Sequence, residues 1–299
     1  MRGTEGHRGM RCDRAKGRSD SPKGPDPEWA DLWRTLVGHA QKNIKTVDGE
    51  SCSKRNLINM KKWAIGIGIA VVVLAISVWG FIEWNSESLP DARSGPEAEA
   101  LADRMLSAVN KEAWDSLEYI QWSFMDRAHY VWDKKNHKVQ VKWEETEVLL
   151  DPNKIEGAAW ENGERVEDPT SYLEEAFERF CNDAFWMNAF VKVRDPGTSR
   201  GIVEQDGRKG LLVTYQSGGV TPGDSYLWWL DETGRPESFQ MWVSIIPVGG
   251  MEFSFEDWDT LYNGALVAQQ HNNAVMNVEI KNIQAGASLD SMGLNSDIF

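Results

Sequence analysis

The chain has 299 residues and a formal net charge of −14, which is unevenly distributed. Residues 1–62 contain 14 Lys/Arg and 8 Asp/Glu, whereas residues 83–299 contain 18 Lys/Arg and 38 Asp/Glu. The strongly acidic C-terminal portion repels nucleic acid and anionic lipid headgroups, which argues against nucleic-acid binding and against purely electrostatic membrane binding.

Residues 1–59 are predicted to be disordered, because Arg, Gly, Ser, Asp and Pro dominate up to Pro27 without an apolar period. A second interpretation is that Met60 is the true start and that residues 1–59 are a mis-called extension. The basic opening Met60-Lys61-Lys62-Trp63 supports this second interpretation.

The segment Trp63–Ile82 is apolar and contains no charged residue. As a helix it would rise about 30 Å, which matches the hydrocarbon core of a bilayer. Basic residues precede it and Glu83 and Glu87 follow it, so the positive-inside rule places the C-terminal portion across the membrane. We therefore predict a signal anchor or transmembrane helix at residues 60–84, single-pass in the inner (cytoplasmic) membrane, with the C-terminal domain in the periplasm or outside.

A secretory signal peptide is the alternative for the same segment, with cleavage near Ser77 and release into the periplasm. In that interpretation Lys61 and Lys62 form the basic region and Trp63–Leu74 the apolar region. The apolar run continues to Ile82, which favours the uncleaved anchor. Either way the C-terminal portion is exported.

Residues 85–96 are polar and contain Pro90 and Pro96, which is typical of a linker. The next segment, from Glu97 to about Trp114, has apolar residues at helical spacing and predicts one helix.

From Tyr119 the apolar period becomes two, which predicts antiparallel strands with one buried face. A second helix begins near Ser171 and interrupts them, and its end, Phe185–Phe190, is apolar on nearly all sides. That end is expected to be buried or to plug a cavity. About ten or eleven strands are predicted in total, including one over Met251–Trp258, with residues 287–299 as a flexible tail.

The predicted fold class is therefore α+β and β-dominated. A curved antiparallel sheet, or incomplete barrel, would occupy residues 97–286, with one N-terminal helix and one inserted helix.

This order of elements, together with the segment Ser225–Trp242, resembles the LolA/LolB-like family of lipoprotein-sorting proteins. Leu230-Asp231, Gly234 and Pro236 carry the likeness, as a strand that ends in an acidic turn and leads into the next strand. The chain departs from the family in lacking its early Arg-Pro pair, since Arg127 has no proline after it. The resemblance implies a half-barrel that binds a lipid, an acyl group or a lipoprotein.

The inward-facing apolar positions are the candidate lining of such a cavity. The same alternation would also arise from an ordinary filled core, and the sequence leaves both interpretations open. The candidate ligand-binding residues are Ile120, Trp122, Phe124, Tyr130, Trp132, Trp143, Tyr226, Trp228, Phe253 and Phe255.

Catalytic chemistry has little support in the sequence. His129, His137 and His271 lack metal-ligand spacing, and no nucleophile elbow or nucleotide-binding loop is present. Cys181 is better explained as a buried apolar residue than as a nucleophile, and Asp257 and Asp259 as solvated carboxylates rather than a cation site. No catalytic residue, metal or cofactor is therefore predicted.

The predicted function is a membrane-anchored, exported domain that binds a lipid, acyl group or lipoprotein, with the membrane contacted through residues 63–82. The alternative is an envelope protein–protein interaction module with a filled core, whose partner the sequence does not identify. A hydrolase is the third interpretation.

Overall fold

The computed structural model describes residues 49–217 and 221–299. The predictions for residues 1–48 lie outside this range. The C-terminal part is α+β and rich in strands, and its two antiparallel sheets form no closed barrel within the described residues, which confirms the predicted fold class.

Helix α1 spans Gly49–Asn85, and its stretch Ile65–Asn85 is the one helix of the described chain that is long and apolar enough to cross a membrane. Residues 49–59, expected to be disordered, belong to this helix. The physical reason is that residues 50–65 contain neither glycine nor proline, so no residue there interrupts the helix.

Two helices, α2 (Pro96–Ala108) and α3 (Lys111–Ser116), replace the single helix predicted up to Trp114. The break lies at Asn110, which has a left-handed backbone with φ of 55°. Its side chain accepts a hydrogen bond from the Ala113 amide and donates one of 2.9 Å to the Gly264 carbonyl. Asn110 therefore caps α3 and fixes the angle between the two helices.

In the described part of the chain, fourteen strands form the two sheets, more than the ten or eleven predicted. The strands are β1 (Tyr119–Phe124), β2 (Ala128–Asp133), β3 (Lys138–Trp143), β4 (Thr146–Asp151), β5 (Glu156–Glu161), β6 (Glu164–Arg165), β7 (Thr198–Gln205), β8 (Arg208–Tyr215), β9 (Ser225–Leu230), β10 (Pro236–Trp242), β11 (Met251–Ser254), β12 (Glu256–Thr260), β13 (Leu266–Asn272) and β14 (Asn277–Gly286).

The larger sheet has the order β12-β13-β14-β1-β2-β3-β4-β5-β6, and the smaller has the order β11-β10-β9-β8-β7. Helix α4 (Thr170–Asn188) and a 3₁₀ turn (Ala189–Val191) connect β6 to β7. The chain thus leaves the edge of one sheet, passes through α4 and enters the edge of the other.

The predicted strand Met251–Trp258 is divided at Phe255, because its two halves pair in different sheets. The half before Phe255 pairs with β10 and the half after it with β13. At the division the Phe255 amide still donates to the Glu237 carbonyl of the smaller sheet, at 2.7 Å. We call this point the Phe255 corner.

One continuous apolar core fills the space between the sheets and helices. A second small cluster, formed by Val203, Leu212, Leu227 and Trp229, lies apart from it. Trp228 belongs to the main core and Trp229 to the small one, so the two clusters lie on opposite faces of the smaller sheet. In both sheets, the face that carries the main core is called the inner face.

The residues after β14, expected to be a flexible tail, contain two short 3₁₀ helices at Asp290–Met292 and Ser296–Ile298. Leu289 and Met292 are buried. Their three-residue spacing places both apolar side chains on the same side of a tight turn, which explains why this part of the tail packs.

Candidate hydrophobic binding site

The ten predicted lining residues all belong to the main core of the inner face. Phe124 and Trp132 are half-buried, and the other eight are buried. Alternation therefore identified the buried face correctly. Whether these residues bind a ligand stays a prediction.

Helix α4 and the 3₁₀ turn after it occupy the inner face with four aromatic side chains, which we call the aromatic plug: Phe180, Phe185, Trp186 and Phe190. The helix packs against β4, β5 and β13. The buried end of α4 was expected from the apolar run Phe185–Phe190. The structure shows that this end reaches the strands of both sheets.

Phe180 contacts three of the predicted lining residues at once. Its ring centroid lies 5.1 Å from that of Trp132 in an edge-on arrangement and 6.2 Å from that of Trp122. The third neighbour is Tyr130, at 6.5 Å. Trp122 and Tyr130 are themselves stacked at 4.7 Å, so Phe180 closes a four-ring cluster on β1 and β2.

The rest of the plug contacts the strands of the smaller sheet and the Phe255 corner. Phe185 lies 4.8 Å from Tyr226, and Trp186 lies 4.9 Å from Phe253. Phe190 lies 6.2 Å from Phe255.

Trp143 makes a cation–π contact with α4, in which the Arg179 guanidinium lies 5.0 Å from the Trp143 ring centroid. Seven of the ten predicted residues thus contact α4 or its 3₁₀ turn: three through Phe180, and one each through Arg179, Phe185, Trp186 and Phe190. The space predicted for a ligand is occupied by this chain's own helix.

A buried polar contact, which sequence reasoning missed, lies among these rings. The Tyr130 hydroxyl donates to the Asp183 carboxylate, and the Asn182 side-chain amide donates to its other oxygen at 2.8 Å. Burial raises the pKa of Asp183 above its ordinary value, against the opposite effects of the Tyr130 and Asn182 hydrogen bonds. Asp183 lies among the apolar residues in the C-terminal half of α4, and a carboxylate in that position is the sequence signal that could have identified this polar contact.

His271 is a second buried titratable group of the inner face. Its Nδ1 lies 3.1 Å from the Ser254 carbonyl oxygen, to which it donates, and its ring lies 4.4 Å from that of Phe255. Burial lowers its pKa to about 4. The ring is therefore neutral at physiological pH, with Nε2 as an acceptor.

Several buried polar atoms of this interior have no hydrogen-bond partner among the residues that the structure describes. They are Nε1 of Trp122, Nε1 of Trp228, Oδ1 of Asn188, the hydroxyl of Tyr215 and Nε2 of His271. Leaving a buried polar atom unsatisfied costs about 1–3 kcal/mol.

The residues considered for catalysis are not arranged as a reactive site. Burial raises the pKa of the half-buried Cys181 thiol to about 11, which disfavours the nucleophilic thiolate at neutral pH. The His129 ring lies beside Ser123, with 2.7 Å between Nδ1 of the histidine and Oγ of the serine.

Asp257 and Asp259 line an open polar groove beside β13 and β14. Glu279 and Lys281 lie in the same groove, and the Lys281 ammonium pairs with Glu279 and Asp126 at 2.7 Å each. The lysine charge offsets part of the negative charge there. Within the described ranges no group of three or more His, Cys, Asp or Glu could hold a metal ion.

The fold and the site together define an α+β protein in which an aromatic helix plugs the inner face of two antiparallel sheets. No family model matches the chain, and no curated protein matches it. Among solved structures, the chain is similar to a DUF1329 family protein from Desulfovibrio piger, with 11% identity and a TM-score of 0.35. The match covers 66% of this chain and 97% of that one, and we draw no functional conclusion from it.

Proposed function

We propose that this protein is a membrane-anchored binding domain of LolA-like type, which holds an acyl chain of a lipid or lipoprotein on its inner face. In this proposal α4 is a lid, and its packing against both sheets is the closed position. The aromatic plug occupies the position that the acyl chain takes when α4 is displaced.

The observation that carries the proposal is the contact between the plug and the predicted lining. An interior lined by aromatic rings from both sheets is the kind of apolar surface that binds a hydrophobic ligand. Because the plug residues lie on one helix and its 3₁₀ turn, a single movement of this segment would expose most of that lining at once.

In this proposal, the buried polar atoms without a described partner gain one when α4 is displaced. Opening would let Trp122, Trp228 and Asn188 bind water or the polar end of a ligand. Each bond regained offsets part of the free energy lost when the plug leaves the apolar lining.

Helix α1 supports the membrane anchor, because Ile65–Asn85 is long enough to span a membrane and contains an 18-residue window with a mean hydropathy of 2.6. We propose a single pass through the inner membrane with the C-terminal domain outside the cytoplasm. In the alternative already described, α1 is a signal peptide and the domain is released.

The test is photocrosslinking of the full-length protein in vesicles whose lipids carry a diazirine at the end of one acyl chain. The expected result is crosslinks to inner-face residues such as Trp132 and Phe180, in addition to α1. Leu212 and Trp229, on the opposite face of the smaller sheet, are the internal control. Crosslinks confined to α1 would contradict acyl binding, and a protein without crosslinks in α1 would contradict the anchor.

A second candidate function is the protein–protein interaction module with a filled core. The observation that favours it is the burial of the predicted lining by the chain's own helix, with eight of the ten residues buried. In the crosslinking experiment this candidate gives α1 crosslinks and an unlabelled inner face, which separates it from the acyl-binding domain.

A further inference from the structure

The loop between β10 and β11, Val243–Gly250, differs from the rest of the acidic domain. Its sequence, VSIIPVGG, contains no charged residue. Ile245 exposes 68% of its surface, and Ser244 and Pro247 are also exposed. We call this segment the β10–β11 loop. The loop therefore presents an uncharged tip with an exposed isoleucine on a domain whose net charge is −20.

The residues immediately after α1 are hydrogen-bonded to this loop. The Glu87 amide donates to the Gly249 carbonyl at 2.9 Å, and the Gly249 amide donates to the Ser86 hydroxyl at 3.0 Å. Trp242, the last residue of β10, donates its indole N–H to the Glu87 carbonyl at 2.8 Å. Two hydrogen bonds therefore hold the linker against the loop, and a third holds it against the end of β10.

Because Glu87 is only two residues after the end of α1, its contact with Gly249 limits how far the loop can lie from that end. Helix α1 ends at Asn85, and consecutive Cα atoms are at most about 3.8 Å apart, so Gly249 lies within roughly 10 Å of the end of α1. The end of a membrane-spanning helix lies at the bilayer interface. Trp84, just before this end, exposes 90% of its surface, as expected for an interfacial tryptophan.

We infer that the β10–β11 loop contacts the bilayer and inserts Ile245 into the interfacial region of the leaflet that α1 reaches on the exported side. This inference rests on the proposed membrane anchor and adds a second, non-helical contact with the lipid. The loop itself has no ionised side chain, and the two carboxylates beside it, Asp224 and Glu87, contact Ser244 and Gly250 rather than the exposed Ile245, so insertion limited to Ile245 need not bury them. Anionic headgroups repel the rest of the acidic domain, so the loop is the part of the domain suited to close approach.

The contact has a consequence for lipid binding. It holds one end of the smaller sheet, where β9 begins and β10 ends, against the membrane surface. An acyl chain leaving the leaflet would then have a short path to Tyr226, which pairs with Met241 at that end of the sheet. The bilayer lipid itself is thus the source of the ligand that the proposed site would take.

The test places a single fluorophore on the full-length protein in phosphatidylcholine vesicles. Cys12, Cys52 and Cys181 are replaced by alanine, and Ile245→Cys is labelled with an environment-sensitive dye. Because Ile245 is exposed, the substitution should leave the fold intact. Trp84→Cys is the interfacial reference. Glu232→Cys, an exposed site in the turn at the other end of β10, is the matched control about 20 Å away.

Vesicles that contain doxyl-labelled lipid are expected to quench the dye at position 245 at least threefold more than the dye at position 232, with a blue-shifted emission. Quenching at position 84 with none at position 245 would overturn the inference and leave the anchor intact. Quenching at neither position would overturn both. Equal quenching at 245 and 232 would also overturn it, since the contact would then not be specific to the loop.

Discussion

The Tyr130 hydroxyl donates a hydrogen bond to the buried carboxylate of Asp183, and so joins β2 of the larger sheet to α4. The two residues are 53 positions apart in the chain. This polar contact lies beside the ring cluster of Trp122, Tyr130 and Phe180, so one residue of β2 contacts α4 through both its ring and its hydroxyl.

Replacing Asp183 with asparagine should stabilise the fold at neutral pH. Burial raises the pKa of Asp183, so the folded state holds the proton more tightly than the unfolded state. The free energy of unfolding therefore falls as pH rises from about 4 through the raised pKa. Asp183→Asn keeps an oxygen acceptor for Tyr130 and removes the charge.

Urea unfolding between pH 4 and 8 measures this effect. The expected result is that the variant lacks the part of the wild-type decline that comes from Asp183. Tyr130→Phe is the control with the opposite sign, because it removes a donor from the buried carboxylate and should cost about 1–3 kcal/mol at pH 7. Equal destabilisation by both substitutions would argue against a cost of ionising Asp183.

His271 should produce the opposite pH dependence. Its folded pKa of about 4 lies below the ordinary value of 6.5, so the unfolded state binds more protons between these values. The stability that His271 contributes is therefore complete above pH 6.5 and is lost as pH falls towards 4, by about 3 kcal/mol. His271→Gln should abolish this component, which unfolding curves at pH 4.5 and 7.5 would measure. A variant that loses stability on acidification as steeply as the wild type would refute the assignment.

Removing Phe180 should open space on the inner face. Phe180→Ala deletes the ring that contacts Trp122, Tyr130 and Trp132, at a cost of about 3–5 kcal/mol in the free energy of unfolding. If α4 is a lid, acyl crosslinking to Trp132 in vesicles should increase several-fold, because the plug then competes less well with the acyl chain.

The matched control for Phe180→Ala is Leu212→Ala, which makes a cavity in the small cluster on the opposite face. It should cost about 2–5 kcal/mol and leave inner-face crosslinking unchanged. A loss of stability in both variants without any gain in crosslinking would favour the filled-core interaction module.

A methyl group at position 249 should release the linker from the β10–β11 loop. A Cβ atom built there would lie 2.7 Å from the Glu87 carbonyl oxygen and 2.6 Å from the Trp242 ring, both closer than real contacts allow. Gly249→Ala is therefore expected to increase proteolytic cleavage after Glu87 at least fivefold. Gly80→Ala, where an added Cβ meets no atom within 4 Å, should not change it. Unchanged protection in Gly249→Ala would mean that the linker hydrogen bonds are dispensable.

The sequence predicted the sheet faces well, because burial in a strand depends on the local alternation of side chains. Trp122 and Tyr130 were assigned to the buried face in this way, and the apolar run Phe185–Phe190 indicated a buried helix end. The break at Asn110 has a local signal, since asparagine readily adopts a left-handed conformation and caps helices, but its bond to the Gly264 carbonyl joins residues distant in the chain.

The site details could not be predicted for the same reason. The Tyr130–Asp183 contact, the linker bond to Gly249 and the division of the strand at Phe255 each join segments whose approach depends on the whole topology. Local patterns give the period and the face of an element. They do not give the element that it will meet.

The Phe255 corner has a mechanical consequence. Since one uninterrupted stretch of backbone passes from β11 into β12, the two sheets are covalently joined at this edge, which restricts their relative movement there. Any widening of the fold must then occur on the far side, between β6 and β7, which are the outermost strands of the two sheets and are bridged by α4. In the proposed function, opening would separate β6 from β7, and α4 is the helix that an acyl chain would displace.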